Sequence, residues 1–275
     1  CSPIFYLPFA IFYLPSALCP SSNRRPTPMK TSPQDLTARL ARAQRPVFLT
    51  GAGVSTESGI PDFRSPDGLY ANGGGEWLFD IHAFRQDPSA FYRAARRLFD
   101  TLRQARPNPG HAAIAALSRR HGKAVSVVTQ NIDVLHQQAG SPVVLPVHGT
   151  LETCTCQVCG AQMAGDGVWE RVHAGEIPPR HECGGVLKPD IVFFGEALPV
   201  RVFAAAEDAI RAADLVVVAG TSLVVYPAAG LPGRRCHDCG LVIINRTPTD
   251  LDPEADLLFR DSTATVLAAA VEGLG

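Results

Sequence analysis

The stretch VFLTGAGVSTESGIPDFRS, residues 47–65, gives the first indication of the fold. A short apolar run opens it, and two closely spaced glycines, Gly51 and Gly53, end that run before a Ser/Thr-rich helix start. In this arrangement backbone amides can approach a phosphate group, and the amino end of the helix favours its negative charge. On its own the pattern is weak, because Thr56 replaces the third glycine of the dinucleotide-binding fingerprint and an ordinary glycine-rich turn fits it equally well.

Similar apolar runs follow, with helical stretches between several of them. The runs are PVFLT, AVSVVTQN, VVLPVHG, DLVVVAGTS and LVIINR, and each is typical of a strand buried on both faces. The helical stretches include SPQDLTARLARA, PSAFYRAARRLFDTLRQA, GHAAIAALSRRHG and VFAAAEDAIRAA. This alternation predicts an α/β fold, a Rossmann-like parallel sheet with helices on both faces.

The residues at which these strands end are small or polar in every case. The exits read Gly51-Ala52-Gly53, Thr129-Gln130-Asn131, His148-Gly149, Gly220-Thr221-Ser222 and Asn245-Arg246. Parallel strands bring their carboxyl ends to one edge of the sheet, where open α/β sheets bind ligands. Five such exits in one chain therefore predict a binding site at that edge.

Composition excludes several classes of function. The chain has 275 residues, 46% hydrophobic and 19% charged, which is typical of a globular protein and not of a disordered one. Its formal net charge of −1 offers no general basic field for nucleic acid or for an anionic membrane.

Six of the eight cysteines fall in two close groups. The first contains Cys154, Cys156, Cys159 and Cys183, and the second contains Cys236 and Cys239. Close spacing suits a metal better than disulfides in a chain of this length, so we predict a reducing compartment, the cytoplasm. A redox or metal role for the second group is open, but two thiols near a helix end explain it more simply, and we leave that pair out of the site.

The first 28 residues are apolar but interrupted by prolines, and their positive charges follow the apolar stretch. A secretory signal has the opposite order, and prolines disfavour a membrane helix. We expect residues 1–28 to be a disordered or artefactual extension, with Met29 as a plausible natural start. A real membrane anchor is the alternative.

The motifs GAGVSTESGIPDFRS, TQNID, HG, GTSLVV and INR occur in this order over roughly residues 47–246. Together they resemble the sirtuin family, and bacterial members most closely. The resemblance implies an NAD-dependent protein-lysine deacylase, with acetyl-lysine as the first substrate. It also implies a Rossmann-like domain in two parts, residues 29–150 and 188–275, and a small zinc-binding module over residues 151–187.

The same resemblance assigns the NAD site. Gly51, Ala52, Gly53 and Ser55 would hold the diphosphate, and Asp62, Phe63 and Arg64 would form a flexible loop over the nicotinamide ribose. Gln130, Asn131, Ile132 and Asp133 would form the nicotinamide pocket, in which Asp133 holds the carboxamide. Gly220, Thr221, Ser222, Asn245 and Arg246 would line the adenosine side.

His148 and Asn131 are the predicted catalytic residues. The intrinsic pKa of an imidazole suits a general base near neutral pH, although a lone histidine after a strand is more often a structural residue. The resemblance implies that the acyl oxygen attacks the ribose carbon that bears nicotinamide. His148 then helps a ribose hydroxyl attack the resulting imidate, and water completes the reaction to lysine and O-acyl-ADP-ribose.

The resemblance further implies that the acyl-lysine protein binds as an added strand between two extended segments. These segments are VFFGE and GTSLVV, and Val192 and Phe193 would border the acyl-lysine tunnel. An ordinary buried strand is the alternative for both. The predicted substrate residues are Val192, Phe193, Gly195, Glu196, Leu223 and Val224. We expect a monomer without nucleic-acid or membrane partners.

The predicted zinc module departs from the family pattern. Cys156, Cys159 and Cys183 match three ligands, but Arg180 stands where the family has the remaining one. Because structural zinc takes four ligands, a substitute is needed, and His181 is the first candidate and Cys154 the second. A module that keeps its shape without metal is the alternative.

The acyl group is predicted to be neutral. Family members that prefer succinyl or malonyl lysine carry a Tyr-x-x-Arg pair, whereas FYRAARR places Ala95 at that spacing from Tyr92, with Arg96 one step further. Asp62 also stands where the acid-preferring members tend to have a neutral residue.

Other functions compete with this interpretation. Mono-ADP-ribosyl transfer to protein would use the same NAD chemistry, and a non-catalytic NAD- or nucleic-acid-binding zinc module is a different class. The presence of Asn131, Asp133 and His148 argues against a non-catalytic module. A dehydrogenase is disfavoured, because no acid is clearly placed for the adenosine ribose.

Overall fold

The structure, a computed structural model, describes residues 31–62 and 75–275. The predicted extension over residues 1–28 lies outside this range. Among the described helices, none combines the length and the apolar character needed to cross a lipid bilayer.

Nine strands are described, in two sheets. They are β1 (Pro46–Thr50), β2 (Ser126–Thr129), β3 (Val144–Pro146), β4 (Gly149–Cys156), β5 (Gln162–Ala164), β6 (Leu187–Ile191), β7 (Leu215–Ala219), β8 (Gly240–Ile244) and β9 (Leu257–Phe259). Six of them form a parallel sheet in the order β3-β2-β1-β7-β8-β9. This is the Rossmann order: β2 and β3 are added on one side of β1, and β7, β8 and β9 on the other. The direction in which strands are added therefore reverses between β1 and β7. The predicted fold class is confirmed.

The helices cover both faces of this large sheet. The described α-helices are α1 (Pro33–Arg42), α2 (Ile81–Gln86), α3 (Pro88–Gln104), α4 (Pro109–Arg119), α5 (Leu135–Gln138), α6 (Gly165–His173), α7 (Val200–Ala212) and α8 (Thr263–Glu272). Short 3₁₀ turns follow β1 at Ala52–Val54 and Thr56–Ser58, at the predicted phosphate loop, so the helix start predicted there is not an α-helix within the described residues 51–62.

Alternation along the strands creates two separate cores. Phe48 of β1 points to the face covered by α1, α4 and α8, where it packs with Leu40, Ile114 and Leu267. The flanking residues of the same strand point to the opposite face, which α7 and the Ala228–Arg234 turn cover. Because both faces are buried, the strand has no polar side, which explains its continuous apolar sequence.

The second sheet is small and antiparallel, in the order β5-β4-β6. It lies between β3 and β7 in the chain, where the sequence indicates an inserted module. It begins at Gly149 and ends at Ile191, so it extends a few residues beyond the predicted limits on both sides.

An aromatic cluster joins this insertion to α2 and α3. Tyr92 and Phe99 of α3 pack on Trp169 of α6, with ring centroids 5.5 and 4.3 Å apart. Phe84 and Phe91 pack on Phe193, which follows β6. Residues 81–104 are thus packed with the inserted module, although the sequence places them in the Rossmann-like domain.

Candidate active site

A cavity of about 380 Å³ lies at the carboxyl edge of the large sheet. Residues from all five predicted strand exits line it, which the parallel order of the sheet explains. The predicted site residues among its lining are Gly51, Ala52, Gly53, Asp62, Gln130, Asn131, Ile132, His148, Val192, Gly220, Thr221, Ser222, Val224 and Asn245.

Glycines allow the exits of β1 and β7 to lie against each other at the point where the strand order reverses. The Gly53 amide donates a 2.9 Å hydrogen bond to the Gly220 carbonyl. Gly220 has a φ of +64°, and a Cβ there would lie 2.4 Å from the Val54 nitrogen. Any larger residue would therefore force these two loops apart.

Below the cavity, three buried polar residues form one hydrogen-bonded chain. Asn131 Nδ2 donates to Ser55 Oγ at 3.1 Å, and Ser55 Oγ donates to Asp133 Oδ2 at 2.9 Å. The Leu135 amide donates to Asp133 Oδ1 at 3.1 Å. Burial raises the pKa of Asp133, although these hydrogen bonds oppose the shift. The chain fixes the side chain of Asn131 against the cavity wall.

His148 meets the cavity from the end of β3. Its Nδ1 donates a 3.0 Å hydrogen bond to the Gln130 carbonyl, which assigns the proton to Nδ1 and leaves the lone pair on Nε2. Nε2 is buried and has no partner among the described residues. Burial lowers the pKa of His148 to about 4, so its imidazole is neutral at physiological pH. A neutral imidazole with one free nitrogen lone pair can accept a proton.

The VFFGE segment (residues 192–196) places alternate residues on opposite sides. Val192 and Phe194 line the cavity. Phe193, predicted to border it, instead lies fully buried in the aromatic cluster. Consecutive side chains of an extended segment point to opposite faces, so only one of the two adjacent phenylalanines can reach the cavity.

Several predicted residues lie beside the cavity or beneath it. Leu223 is buried, with a left-handed φ of +55°, and its neighbour Val224 reaches the cavity instead. The Arg246 guanidinium lies 4.0 Å from Glu57 and is largely exposed. Phe63 and Arg64 lie outside the described residues.

Five lining residues were not predicted from the sequence, and they are Phe79, Ile191, Phe194, Val225 and Thr247. Phe194 and Val225 lie within the predicted segments VFFGE and GTSLVV but were not among the predicted site residues, and Ile191 and Thr247 directly precede or follow predicted residues. Phe79 comes from a 3₁₀ turn (Glu76–Phe79) with no motif of its own, and only tertiary packing brings it to the cavity.

The inserted module brings four metal-ligand side chains together. The ligand atoms of Cys156, Cys159, His181 and Cys183 all lie within 4.8 Å of one another. Cys156 Sγ is 3.5 Å from Cys183 Sγ, and Cys159 Sγ is 3.4 Å from His181 Nδ1. Tetrahedral zinc with ordinary bond lengths requires separations of about 3.8 and about 3.6 Å, so these two separations are compatible with a zinc ion bound by the four residues. Cys154, the second candidate ligand, is outside this group.

Arg180, which replaces the family ligand, has a different contact. Its guanidinium donates a 2.7 Å hydrogen bond to the Gly184 carbonyl, across the loop that carries His181 and Cys183. Glu176 accepts the Arg180 amide at 2.9 Å. The arginine therefore stabilises the loop while its neighbour His181 reaches the metal group.

The residues considered for acyl choice also lie away from the cavity. Tyr92 is buried and its hydroxyl donates to the Leu187 carbonyl at 2.5 Å, and Ala95 is buried on the same helix. Arg96 is exposed and hydrogen-bonds His173 Nδ1 at 3.0 Å. None of these residues offers a cation to the cavity.

The second cysteine pair is remote from the described metal group. Cys236 is exposed and its thiol donates to the Arg211 carbonyl at 3.1 Å. Cys239 is buried, and burial raises its pKa to about 11.

Comparison with known proteins gives matches over most of this chain. The Sir2 family profile matches residues 51–227. An NAD-dependent protein deacetylase 2 from Caldanaerobacter subterraneus subsp. tengcongensis is 41% identical over 227 residues, 82% of this chain and 89% of the relative. An NAD-dependent protein deacylase 2 from Pyrobaculum aerophilum is 41% identical over 236 residues, 85% of this chain and 92% of the relative.

Solved structures share the fold. One, described as "Structural Basis for the Mechanism and Regulation of Sir2 Enzymes", has a TM-score of 0.81 and 39% identity, and covers 88% of this chain and 97% of its own. Another, described as "Sir2-p53 peptide-NAD+", has a TM-score of 0.79 and 36% identity, and covers 88% of this chain and 98% of its own.

Proposed function

The chain belongs to the Sir2 family, and we propose that its edge cavity carries out NAD-dependent deacetylation of protein lysines. The acyl group passes to ADP-ribose and nicotinamide is released. The observation that carries this proposal is His148, which lines a cavity formed by five strand exits and whose buried Nε2 has no hydrogen-bond partner among the described residues.

The residues of the cavity fit NAD. The glycines at Gly51, Gly53 and Gly220 leave backbone at the cavity surface, which suits a diphosphate, and Ser222 and Asn245 supply polar groups beyond them. When bound, NAD supplies the ribose that accepts the acyl group and a nicotinamide leaving group. We assign Asn131, fixed by Ser55, to the nicotinamide end.

His148 acts as general base in this proposal. The Gln130 carbonyl holds the proton on Nδ1, so Nε2 accepts a proton from a ribose hydroxyl. The lowered pKa keeps the imidazole unprotonated throughout the physiological pH range. General-base catalysis of this kind contributes a factor of about 10² to 10⁴ to the rate.

Apolar side chains form much of the rest of the cavity. Phe79, Ile132, Val192 and Phe194 exclude water from the space beside His148, which limits unproductive hydrolysis and strengthens polar contacts within it. The acyl-lysine side chain, which has an aliphatic stem and a neutral amide, suits this part of the cavity.

A neutral acyl group fits the charges of the site. The described lining residues contain neither lysine nor arginine, and they contain the acidic Asp62. A succinyl or malonyl carboxylate would lose its water without gaining a cation, which is unfavourable. We therefore propose acetyl-lysine as the preferred substrate.

The zinc-ligand group has a structural role in this proposal. Cys156, Cys159, His181 and Cys183 would occupy all four positions of a tetrahedral ion, so no position is left for a reactant. The cytoplasmic compartment and the monomeric state predicted from the sequence stay predictions.

The products of one reaction test the proposal. The full-length chain is incubated with an acetyl-lysine peptide, with and without NAD, and the products are identified by mass spectrometry. We expect deacetylated peptide, nicotinamide and O-acetyl-ADP-ribose only when NAD is present. His148→Ala should remove this activity, whereas His237→Ala, a change at an exposed histidine, should keep it. ADP-ribose attached to protein, with the peptide still acetylated, would indicate ADP-ribosyl transfer instead.

A further inference from the structure

Lys188 is a buried lysine on β6, the strand that directly precedes the VFFGE segment. Its side chain is only 6% exposed. The ammonium lies 2.9 Å from Glu196 Oε2 and donates hydrogen bonds to the carbonyls of Ile191 at 2.8 Å and Pro189 at 3.2 Å. It also lies 4.1 Å from the centroid of the Phe193 ring, a favourable cation–π distance. These contacts account for every proton of the ammonium group.

Glu196 joins this ammonium to the backbone of the VFFGE segment. Its Oε2 also accepts the Phe193 amide at 2.8 Å, and its own amide donates to the Phe193 carbonyl at 3.0 Å. Gly195 between them has a φ of +87°, which permits the tight turn. Lys188 and Glu196 thus hold a closed turn over residues 193–196.

The opposite side of the same segment faces the cavity. Val192 and Phe194 line it, and the Val192 amide donates to the His148 carbonyl at 2.8 Å. Neither Lys188 nor Glu196 is among the described lining residues. The ion pair therefore holds the segment from the core side, while its other side is available to a peptide.

Loss of one partner would leave the other as an unpaired charge in the interior, which is strongly unfavourable. The Glu196 side chain is 25% exposed, and without its ammonium partner it would gain further hydration if the turn opened. Opening the turn would displace Val192 and Phe194, since both belong to the same few residues of backbone.

We propose that Lys188, acting through Glu196, is a positioning residue for the acyl-lysine peptide. The pair fixes the turn that presents Val192 and Phe194 to the cavity. This inference rests on the proposed function. It predicts a defect in peptide binding and not in binding of the ADP-ribose part of NAD, whose predicted residues lie on other strand exits.

Lys188→Met in the full-length chain tests this role, because methionine keeps the apolar stem and removes the charge. Peptide affinity is measured by fluorescence anisotropy with a labelled acetyl-lysine peptide, ADP-ribose affinity by calorimetry, and kcat and KM by product formation. We expect the peptide Kd and KM to rise about 10- to 100-fold, as displaced positioning groups commonly cause. The affinity for ADP-ribose should stay within about twofold.

Two further variants and a control separate positioning from general stability. Lys188→Arg keeps the cation and should restore most of the peptide affinity. Glu196→Gln should raise the peptide KM in the same direction and remain measurable if Lys188→Met does not fold. Lys123→Met is the matched control, because Lys123 donates to two carbonyls, those of Ala41 and Ala43, away from the cavity. It should leave peptide affinity unchanged.

An unchanged peptide KM in a folded Lys188→Met or Glu196→Gln protein would overturn the inference, as would an equal loss of peptide and ADP-ribose affinity. These results would leave the proposed function intact, because the wild-type chain still turns over. A wild-type chain that neither binds nor deacetylates the peptide would instead overturn the proposed function and the inference with it.

Discussion

The edge of the large sheet and the inserted metal module build their sites in opposite ways. Cavity residues come from positions between Gly51 and Thr247, and they belong to many different elements of the chain. The metal-ligand group comes from residues 156–183 and depends on four specific side chains. In the first case the topology creates the site, and in the second the local spacing creates it. A site of the second kind can exchange one ligand for its neighbour, as His181 and Arg180 illustrate.

His148→Ala should have the largest effect, because it removes the proposed general base from the sheet edge. We expect kcat to fall by about 10² to 10⁴, the contribution of a general base. Affinity for ADP-ribose, measured by calorimetry, should change little, since the glycine exits remain. A variant with nearly full kcat would show that another group takes the proton.

His181→Ala tests the other region. We expect its zinc affinity, measured by competition with a chromophoric chelator, to fall about 100-fold or more, since loss of even an outer-shell partner of a metal costs 10- to 100-fold. His181→Cys should retain zinc, and Cys154→Ser should behave as wild type, because Cys154 is outside the ligand group. Full zinc affinity in His181→Ala would assign the fourth position to a different residue.

Peptides with different acyl groups test which substrates the edge cavity accepts. Acetyl peptide should be deacylated at least about 30-fold faster than its succinyl equivalent, since a buried, unpaired carboxylate costs more than about 2 kcal/mol. The ratio of kcat/KM values for matched peptides measures this preference. A succinyl peptide that reacts faster would mean that a cation reaches the acyl group.

Low pH should reduce the free energy of unfolding, because histidines near the edge site are buried in their neutral form. Burial lowers the pKa of His111 and of His148 to about 4, so the unfolded chain binds more protons than the folded one between pH 6.5 and about pH 4. The free energy of unfolding should therefore fall as the pH falls through this window, by about 2 kcal/mol per histidine between pH 6.5 and pH 5.

Asp133 opposes this effect, because its pKa is raised and its protonated form favours the folded state at low pH. Two histidines outweigh one carboxyl group, so we still expect a net loss, measured by urea unfolding at each pH. Stability that stays constant or increases from pH 6.5 to pH 5 would contradict the burial of neutral imidazoles.

The sequence predicted most of the large sheet and its edge, because parallel order leaves few alternatives for where strand exits meet. The five predicted strand runs each contain an observed strand, and β1 has the predicted bounds, Pro46–Thr50. His181 could also be predicted as the first candidate for the substitute ligand, because it adjoins position 180, and it is the candidate found in the metal-ligand group.

Other features depend on packing that no local pattern contains. Val192, Phe193 and Phe194 are all apolar, so no polar residue marks which side of the segment faces the core. The sequence therefore could not show which phenylalanine reaches the cavity. The packing of α3 on α6 likewise joins two distant amphipathic helices, each of which could equally have covered the large sheet. Phe79 reaches the cavity only because of such contacts.

The fate of the acetyl group tests the central claim most directly, because it identifies which of the two regions performs the chemistry. A peptide with an isotopically labelled acetyl group is incubated with the full-length chain, and the label is followed by mass spectrometry. If the edge cavity acts as we propose, the label appears on ADP-ribose, in amounts equal to the nicotinamide released and only when NAD is present. Label released as free acetate without NAD would mean simple hydrolysis, and it would contradict the assignment of catalysis to the sheet edge.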